Sequence, residues 1–208
     1  ANMPDFNGLA LEVLTQLRAT NESSAKRIFQ VIRDTEKQHS IRLQYPTDRI
    51  FSLLERSFDV QSIQRAVAQT LTPIKDVNLA AHRTMLKLAT LKGGQTRLIT
   101  TNFDRLFEAC NAKLPTRTRS DLPRIQFTDN NWGVVHLHGR VDRDYQGPDR
   151  DGFVLSSAEF GGAYLAQGWA REFIRDVLDN YVAVFVGYSA DDPPISYLLE
   201  GIRQTSGH

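Results

Sequence analysis

A single cysteine in 208 residues rules out two kinds of framework. A disulfide scaffold needs pairs and a cysteine-ligated zinc needs several thiolates, so neither can organise this chain. The one thiol, Cys110, falls on the apolar side of a helical pattern with no base beside it in sequence, the setting of an inert buried thiol. Charge of one sign is also missing: 25 basic against 24 acidic residues leave a net +1. With no basic block, the chain has no electrostatic footprint for nucleic acid. No apolar run approaches the roughly 20 residues that span a bilayer, and no signal-peptide pattern is visible. The expectation is a soluble, cytoplasmic protein with no membrane or direct nucleic-acid partner. There is no internal repeat and no low-complexity tract. Apolar residues at 41% and charged residues at 24% are ordinary for a globular domain. The length suits one α/β domain, or such a domain with a helical insert, able to bury a core without staples.

Three junctions stand out against this plain background. In Leu98-Ile99-Thr100-Thr101-Asn102-Phe103-Asp104 a short apolar run passes into a helical pattern, with Phe103, Leu106, Phe107 and Cys110 at i, i+3, i+4 and i+7. Val134-Val135-His136-Leu137-His138-Gly139-Arg140 and Val184-Phe185-Val186-Gly187-Tyr188-Ser189-Ala190-Asp191 repeat the theme, each apolar run stopping at a glycine flanked by polar residues. In open α/β sheets ligands bind outside the carboxyl ends of strands. The three junctions are therefore expected to be edges of one ligand site.

Taken in order, the chain opens on a loop over residues 1–8 that enters a helix near Leu9, with Leu11, Val13, Leu14 and Leu17 apolar. A doubly wound domain normally begins with a strand and a Gly-rich turn; the sequence opens without either, so a first strand is expected upstream. Residues 21–92 pattern as helices, with start signals at Asn21 or Ser23 and at Pro46-Thr47-Asp48, and a stop at Gly93-Gly94. Short strands are expected at residues 97–100, 124–127 and 153–155, and one follows Asp129-Asn130-Asn131. Ser156 begins a short helix, and Trp169, Phe173, Ile174, Val177 and Leu178 mark a longer amphipathic one. Residues 181–186 form the most strand-like run, near-continuous and apolar as a central parallel strand should be. Asp192-Pro193-Pro194 opens a last helix.

Each chemical candidate has a plain alternative. His136 and His138, two apart in a strand, share a face. They could be a metal pair completed by Asp142 or Asp144, or two hydrogen-bonded structural histidines. Alternatively, His138 at the strand end is a general base in the right pKa range near neutral pH. Asn102 is either a loop asparagine bonded to its own backbone or an amide that orients a water or sugar hydroxyl. Asp104 is either a helix cap or a ligand contact. Gly187 is either a tight turn or a point of close backbone approach. His39 and His82 fall in the helical block, where lone histidines are structural or exposed.

At these residues the chain resembles the sirtuin family, and within it the sirtuin-like NAD-hydrolysing domains of bacterial antiphage defence proteins. Three motifs carry the likeness: Thr100-Thr101-Asn102-Phe103-Asp104, the Leu137-His138-Gly139 box, and Gly187-Tyr188-Ser189-Ala190-Asp191-Asp192-Pro193. Met3-Pro4-Asp5-Phe6 is similar to the cofactor loop that follows the family's Gly-Ala-Gly turn. The resemblance implies a Rossmann-like parallel sheet with flanking helices, residues 1–208 forming one sirtuin-like domain. Residues 21–92 would be a helical subdomain in place of the zinc module, and 1–20 with 95–208 the Rossmann-like part. It implies NAD as substrate and no zinc, with Asn102 and His138 catalytic. Asn102 would position a water or the nicotinamide ribose, and His138 would act as general base. Pro4, Asp5, Phe6, Thr101, Asp104, Gly139, Gly187, Tyr188, Ser189 and Asp191 would hold the dinucleotide, Asp104 at the nicotinamide carboxamide and Gly187 and Ser189 at the adenosine half. The chain departs from the family at the four-cysteine zinc module, which it cannot build, and at Asn7, where many sirtuins have arginine. The first departure favours NAD hydrolysis over protein deacylation. Expected partners are copies of itself or further domains of a parent protein that restrain activity, with a phage protein as trigger.

Overall fold

The computed structural model describes residues 3–38, 45–125 and 132–187. Five helices come first: α1 (Phe6–Leu17), α2 (Glu22–Gln38), α3 (Thr47–Glu55), α4 (Val60–Thr70) and α5 (Ala80–Ala89). Side-chain caps set where they begin. Asp5 accepts from Gly8 N at 2.7 Å, Asn21 from Ser24 N at 3.0 Å and Asp59 from Ser62 N at 2.9 Å, each satisfying a backbone donor that the helix cannot. Among the described residues the segment 21–92 is helical as its pattern predicts, with an irregular stretch before α5. There Asp76 sits at φ 62°.

The sheet is small and parallel. β1 (Arg97–Thr100) and β2 (Thr116–Arg117) flank β3 (Gly133–His136), in the order β1-β3-β2. Arg97 to Thr100 pair with Gly133 to His136 in register, so β1 and β3 end side by side. Between the strands lie α6 (Leu106–Cys110) and a 3-10 turn at Arg119–Asp121; after them come α7 (Ser157–Gly161), a π turn (Gly162–Ala166) and α8 (Trp169–Asn180). The fold is mixed α/β: a three-stranded parallel sheet flanked by helices, Rossmann-like as expected.

Three apolar clusters hold it together. Val13, Leu14, Phe51, Leu54 and Val67 centre the helical one, which reaches across to Phe103, Val141, Phe153 and Leu155. Trp132, Val135, Leu137, Phe160, Tyr164 and Phe173 fill one side of the sheet, while Leu98, Phe107 and Val134 fill the other. The alternation of Val134 and Val135 is that of a strand buried on both faces.

Three strand expectations differ from the structure. Residues 181–186 are not part of the sheet, with Val182 94% and Val184 83% exposed. Apolar patterning drives burial, but a strand also needs a ladder, and among the described residues the sheet's ladders do not include this run. Residues 153–155 contribute one strand-like hydrogen bond, Val154 N to His138 O at 2.9 Å, and no ladder. Arg124 and Ile125 are not strand, and the rest of that segment, like the last helix and His39, lies outside the described residues.

Candidate active site

The site is built where β1 and β3 run out. Leaving β1, the chain turns through Thr101, Asn102 and Phe103. Phe103 is 7% exposed and packs edge-on against Phe153, with ring centres 5.3 Å apart. Four hydrogen bonds hold this turn. Leu137 N donates to Thr100 O at 2.9 Å, Val141 N to Phe103 O at 2.9 Å, and Asn102 N to Thr100 Oγ1 at 3.1 Å, while His136 Nδ1 lies 3.2 Å from Asn102 O. The backbone of Asn102 is therefore fixed. Its exposed side-chain amide makes no hydrogen bond among the described residues, so it is free to serve a ligand. Asp104, 5% exposed, accepts from Leu106 N at 2.9 Å at the entry to α6. It bonds the first N–H of α6 from the residue before the N-cap Arg105 and also lines the same cavity as Asn102 and His138.

His136 and His138 do not share a face. β3 ends at His136, whose ring is fully buried with Nε2 3.5 Å from Glu108 Oε1. His138 lies in the following turn, on the opposite side, with Nε2 2.8 Å from the Tyr164 hydroxyl and its ring edge-on to Phe160 at 5.1 Å. The strand alternation stops one residue too early to carry both rings to one place, and the metal-pair reading falls with it. The turn depends on Gly139, at φ 87°, where an added Cβ would stand 2.1 Å from the Gly152 carbonyl oxygen. Gly139→Ala is expected to cost roughly 2–3 kcal/mol through left-handed backbone strain alone, read as a fall in melting temperature; an unchanged melt would show that the loop carrying Gly152 yields.

Burial among Phe160, Tyr164 and Leu137 pushes the His138 imidazole down to about 3. The expected pKa range near neutrality is corrected: the ring is neutral across that range because the surrounding apolar wall disfavours the cation.

Two cavities meet at His138. The first, about 140 Å³, is lined by Pro4, Asp5, Phe6, Thr101, Asn102, Asp104 and His138, with Phe103 and Phe160 among its walls. A void near 150 Å³ accommodates a single aromatic ring, so this one matches the size of one ring. The second, about 470 Å³, lies beyond His138 and Gly139 and is lined by Arg119, Asp151, Phe153, Glu159 and Trp169. Seven expected site residues therefore converge on one cavity. Gly139 borders the second, and Gly187, at φ 66°, borders neither. Tyr188, Ser189 and Asp191 lie outside the described residues. Asp5 does double duty as the α1 cap, and the Phe6 ring stacks on Phe51 at 5.6 Å, so the start of α1 closes the cavity rigidly.

Sequence reasoning missed a charged cluster beneath the site. Arg140, 8% exposed, donates to Asp149 Oδ2 at 2.9 and 2.7 Å, to Glu108 Oε1 at 3.1 Å and to Thr116 Oγ1, and Arg105 lies 3.6 Å from the same Glu108 oxygen. Burial opposes ionisation of Glu108 and of Asp149. His136 and Arg105 at the first, and Arg140 at the second, outweigh it and hold both carboxyls below their ordinary range. Spacing offered one clue, since Glu108 stands one helical turn beyond Asp104. Tyr164 gave none, because a π turn breaks the period that places it. Cys110 is half-buried and free, with burial pushing its thiol up, as an unreactive cysteine requires. Among the described residues no group of three or more His, Cys, Asp or Glu is placed to hold a metal, and no helix is long and apolar enough to cross a membrane.

A parallel α/β sheet with an amide and an imidazole at adjacent strand ends defines a Rossmann-like protein with a ligand crevice at its carboxyl edge. The chain belongs to the SIR2-like domain family, whose model matches residues 96–208, more than half of its length. Membership carries with it an NAD-related function. The chain is also similar to the uncharacterized protein y4cA of Sinorhizobium fredii (strain NBRC 101917 / NGR234), 33% identical over 216 residues. That match covers 97% of this chain and 17% of the relative, so the chain spans a small part of that protein's length. No solved structure matches.

Proposed function

We propose that the protein is an NAD glycohydrolase that cleaves NAD to nicotinamide and ADP-ribose. The observation that supports this most is the convergence of Asn102 and His138 on a ring-sized cavity at the ends of two adjacent parallel strands. In the cleavage the carbon–nitrogen bond breaks with its electron pair going to the ring nitrogen, so nicotinamide leaves neutral and needs no strong acid. The sugar becomes oxocarbenium-like and is captured by water, whose surplus proton passes to the free ring nitrogen of His138 and on to solvent. A neutral imidazole suits this path, because a charged one would stand beside a developing cation. His138 holds the sugar hydroxyl or the attacking water, Asn102 orients it, and the aromatic wall keeps bulk solvent away. Asp104 faces the carboxamide, with Pro4, Asp5 and Phe6 closing the cavity.

In this reading residues 1–208 act as one sirtuin-like unit whose helical subdomain, 21–92, replaces a zinc module. The unit works in the cytoplasm as the effector of a defence protein that depletes NAD. Since a free NADase would kill its own cell, other domains of a parent chain or assembly with further copies restrain it until a phage protein triggers it. Full constitutive activity of the whole parent protein in the absence of a trigger would contradict that restraint. The test is nicotinamide release from NAD. Asn102→Ala and His138→Ala should each lower turnover by roughly 10²–10⁴ with folding kept; a variant that retains the parent rate refutes the role of its residue. The second cavity beyond His138 gives one alternative a foothold, an NAD-dependent protein deacylase, which an acetyl-peptide assay would reveal. A silent NAD-binding or assembly module would bind without releasing nicotinamide, and His138→Ala would leave that binding intact.

A further inference from the structure

Tyr164 has no counterpart in the sequence motifs, yet among the described residues it makes the one side-chain hydrogen bond of His138. It is 2% exposed and lies on the π turn Gly162–Ala166, while its neighbour Leu165 is 74% exposed. The turn closes with wide hydrogen bonds, Gln167 N at 3.0 Å and Gly168 N at 3.3 Å from Gly162 O. Such turns are rare and occur mostly as single-turn insertions, frequently at functional sites. This one sits between α7 and α8 and turns one aromatic hydroxyl inward, 2.8 Å from His138 Nε2. The Phe160 ring stacks on Tyr164 at 6.2 Å and meets His138 edge-on, so the hydroxyl and imidazole are gripped by a common wall.

A neutral imidazole has one donor and one acceptor nitrogen, and whether the Tyr164 hydroxyl accepts from Nε2 or donates to it sets what Nδ1 offers. Nδ1 of His138 makes no hydrogen bond among the described residues. Only a ring with its proton on Nε2 can present a lone pair at Nδ1 to a hydroxyl or water. We propose that Tyr164 is a positioning residue for His138: its hydroxyl oxygen accepts the Nε2–H and so keeps Nδ1 as the acceptor nitrogen. The inference rests on the NADase reading for its consequence, but the tautomer can be measured without any substrate.

The experiment joins nitrogen-15 NMR of the histidine rings with steady-state kinetics on the protein and its Tyr164→Phe variant. His138 in the parent is expected to show the Nε2–H tautomer, and Tyr164→Phe to convert it to a mixture. With NAD as substrate, kcat in the variant should fall roughly tenfold to a hundredfold, below the roughly 10²–10⁴ expected for loss of the His138 imidazole itself, with KM within about a factor of two. A purely structural tyrosine would move neither the tautomer nor the split between kcat and KM. A parent ring protonated on Nδ1, a tautomer unchanged in the variant, or an unchanged kcat would each overturn the proposal. Absence of NAD turnover in the parent would sink the functional reading instead, and the ring measurement would then decide the role of Tyr164 alone.

Discussion

Replacing Arg140 with alanine is expected to cost about 3–5 kcal/mol, the usual penalty for leaving a buried charge without its partner. The guanidinium is 8% exposed and binds two carboxylates, Asp149 through two nitrogens and Glu108 through one. Without it, Glu108 keeps Arg105 at 3.6 Å and His136 at 3.5 Å, while Asp149 keeps only Arg105 at 4.0 Å among the ion pairs that remain. Neither replacement is a bidentate fork, and neither sits at good hydrogen-bond distance. The damage would spread, because Arg140 joins the loop carrying Asp149 to α6 and, through Thr116, to β2. Urea unfolding measures it. Removing Asp149 and Arg140 together, as Asp149→Asn with Arg140→Met, should recover part of the loss, since the isolated anion goes with the cation. A single-variant cost below about 1 kcal/mol would place the cluster with weak surface pairs and break the link drawn here between it and the strand ends.

The helices and the strand ends were legible in the sequence because each has a local cause. Asn21 and Ser156 cap the helices they precede, and apolar residues at helical spacing fix the faces those helices bury. The caps at Asp5 and Asp59 went unread, and α1 begins at Phe6, ahead of the start expected near Leu9. Asn102 and His138 could be placed together because parallel strands in register end together, whatever the distance between them in the chain. What could not be read depends on partners distant in sequence. The run at 181–186 has the composition of a buried strand, but composition does not supply the ladder that makes a strand. Tyr164 and Arg140 reach the site through a π turn and a buried ion cluster, neither of which has a period or a motif. The direction of His138 is the sharpest case: strand alternation puts it beside His136, and a glycine at φ 87° with the end of β3 puts it in the opposite layer.

The isolation of that ring makes the protein acid-sensitive in a window of its own. An unfolded histidine titrates near 6.5, whereas His138 in the folded protein titrates at about 3. Between those values the unfolded chain takes up a proton that the folded protein refuses, so stability falls as pH drops from about 6.5 and levels out near 3. Each pH unit inside the window costs up to about 1.4 kcal/mol. A loss of about 2 kcal/mol is therefore expected by pH 5. His82, half-buried against Phe107 and also depressed by burial, adds a smaller slope of the same sign. Glu108 and Asp149 act lower down. Their folded carboxyls titrate below the unfolded values, so the stability they contribute is present above about pH 4 and disappears as pH falls through their folded values. The upper window thus belongs chiefly to His138. Urea melts at pH 7.5, 6, 5 and 4.5 should give a steady decline in the parent and a much flatter profile in His138→Gln, which retains a hydrogen-bonding group for Tyr164 without a titrating ring. Equal slopes in the two proteins would mean that His138 is protonated in the folded state at mild acid. The neutral imidazole on which the proposed chemistry depends would then be lost below neutral pH.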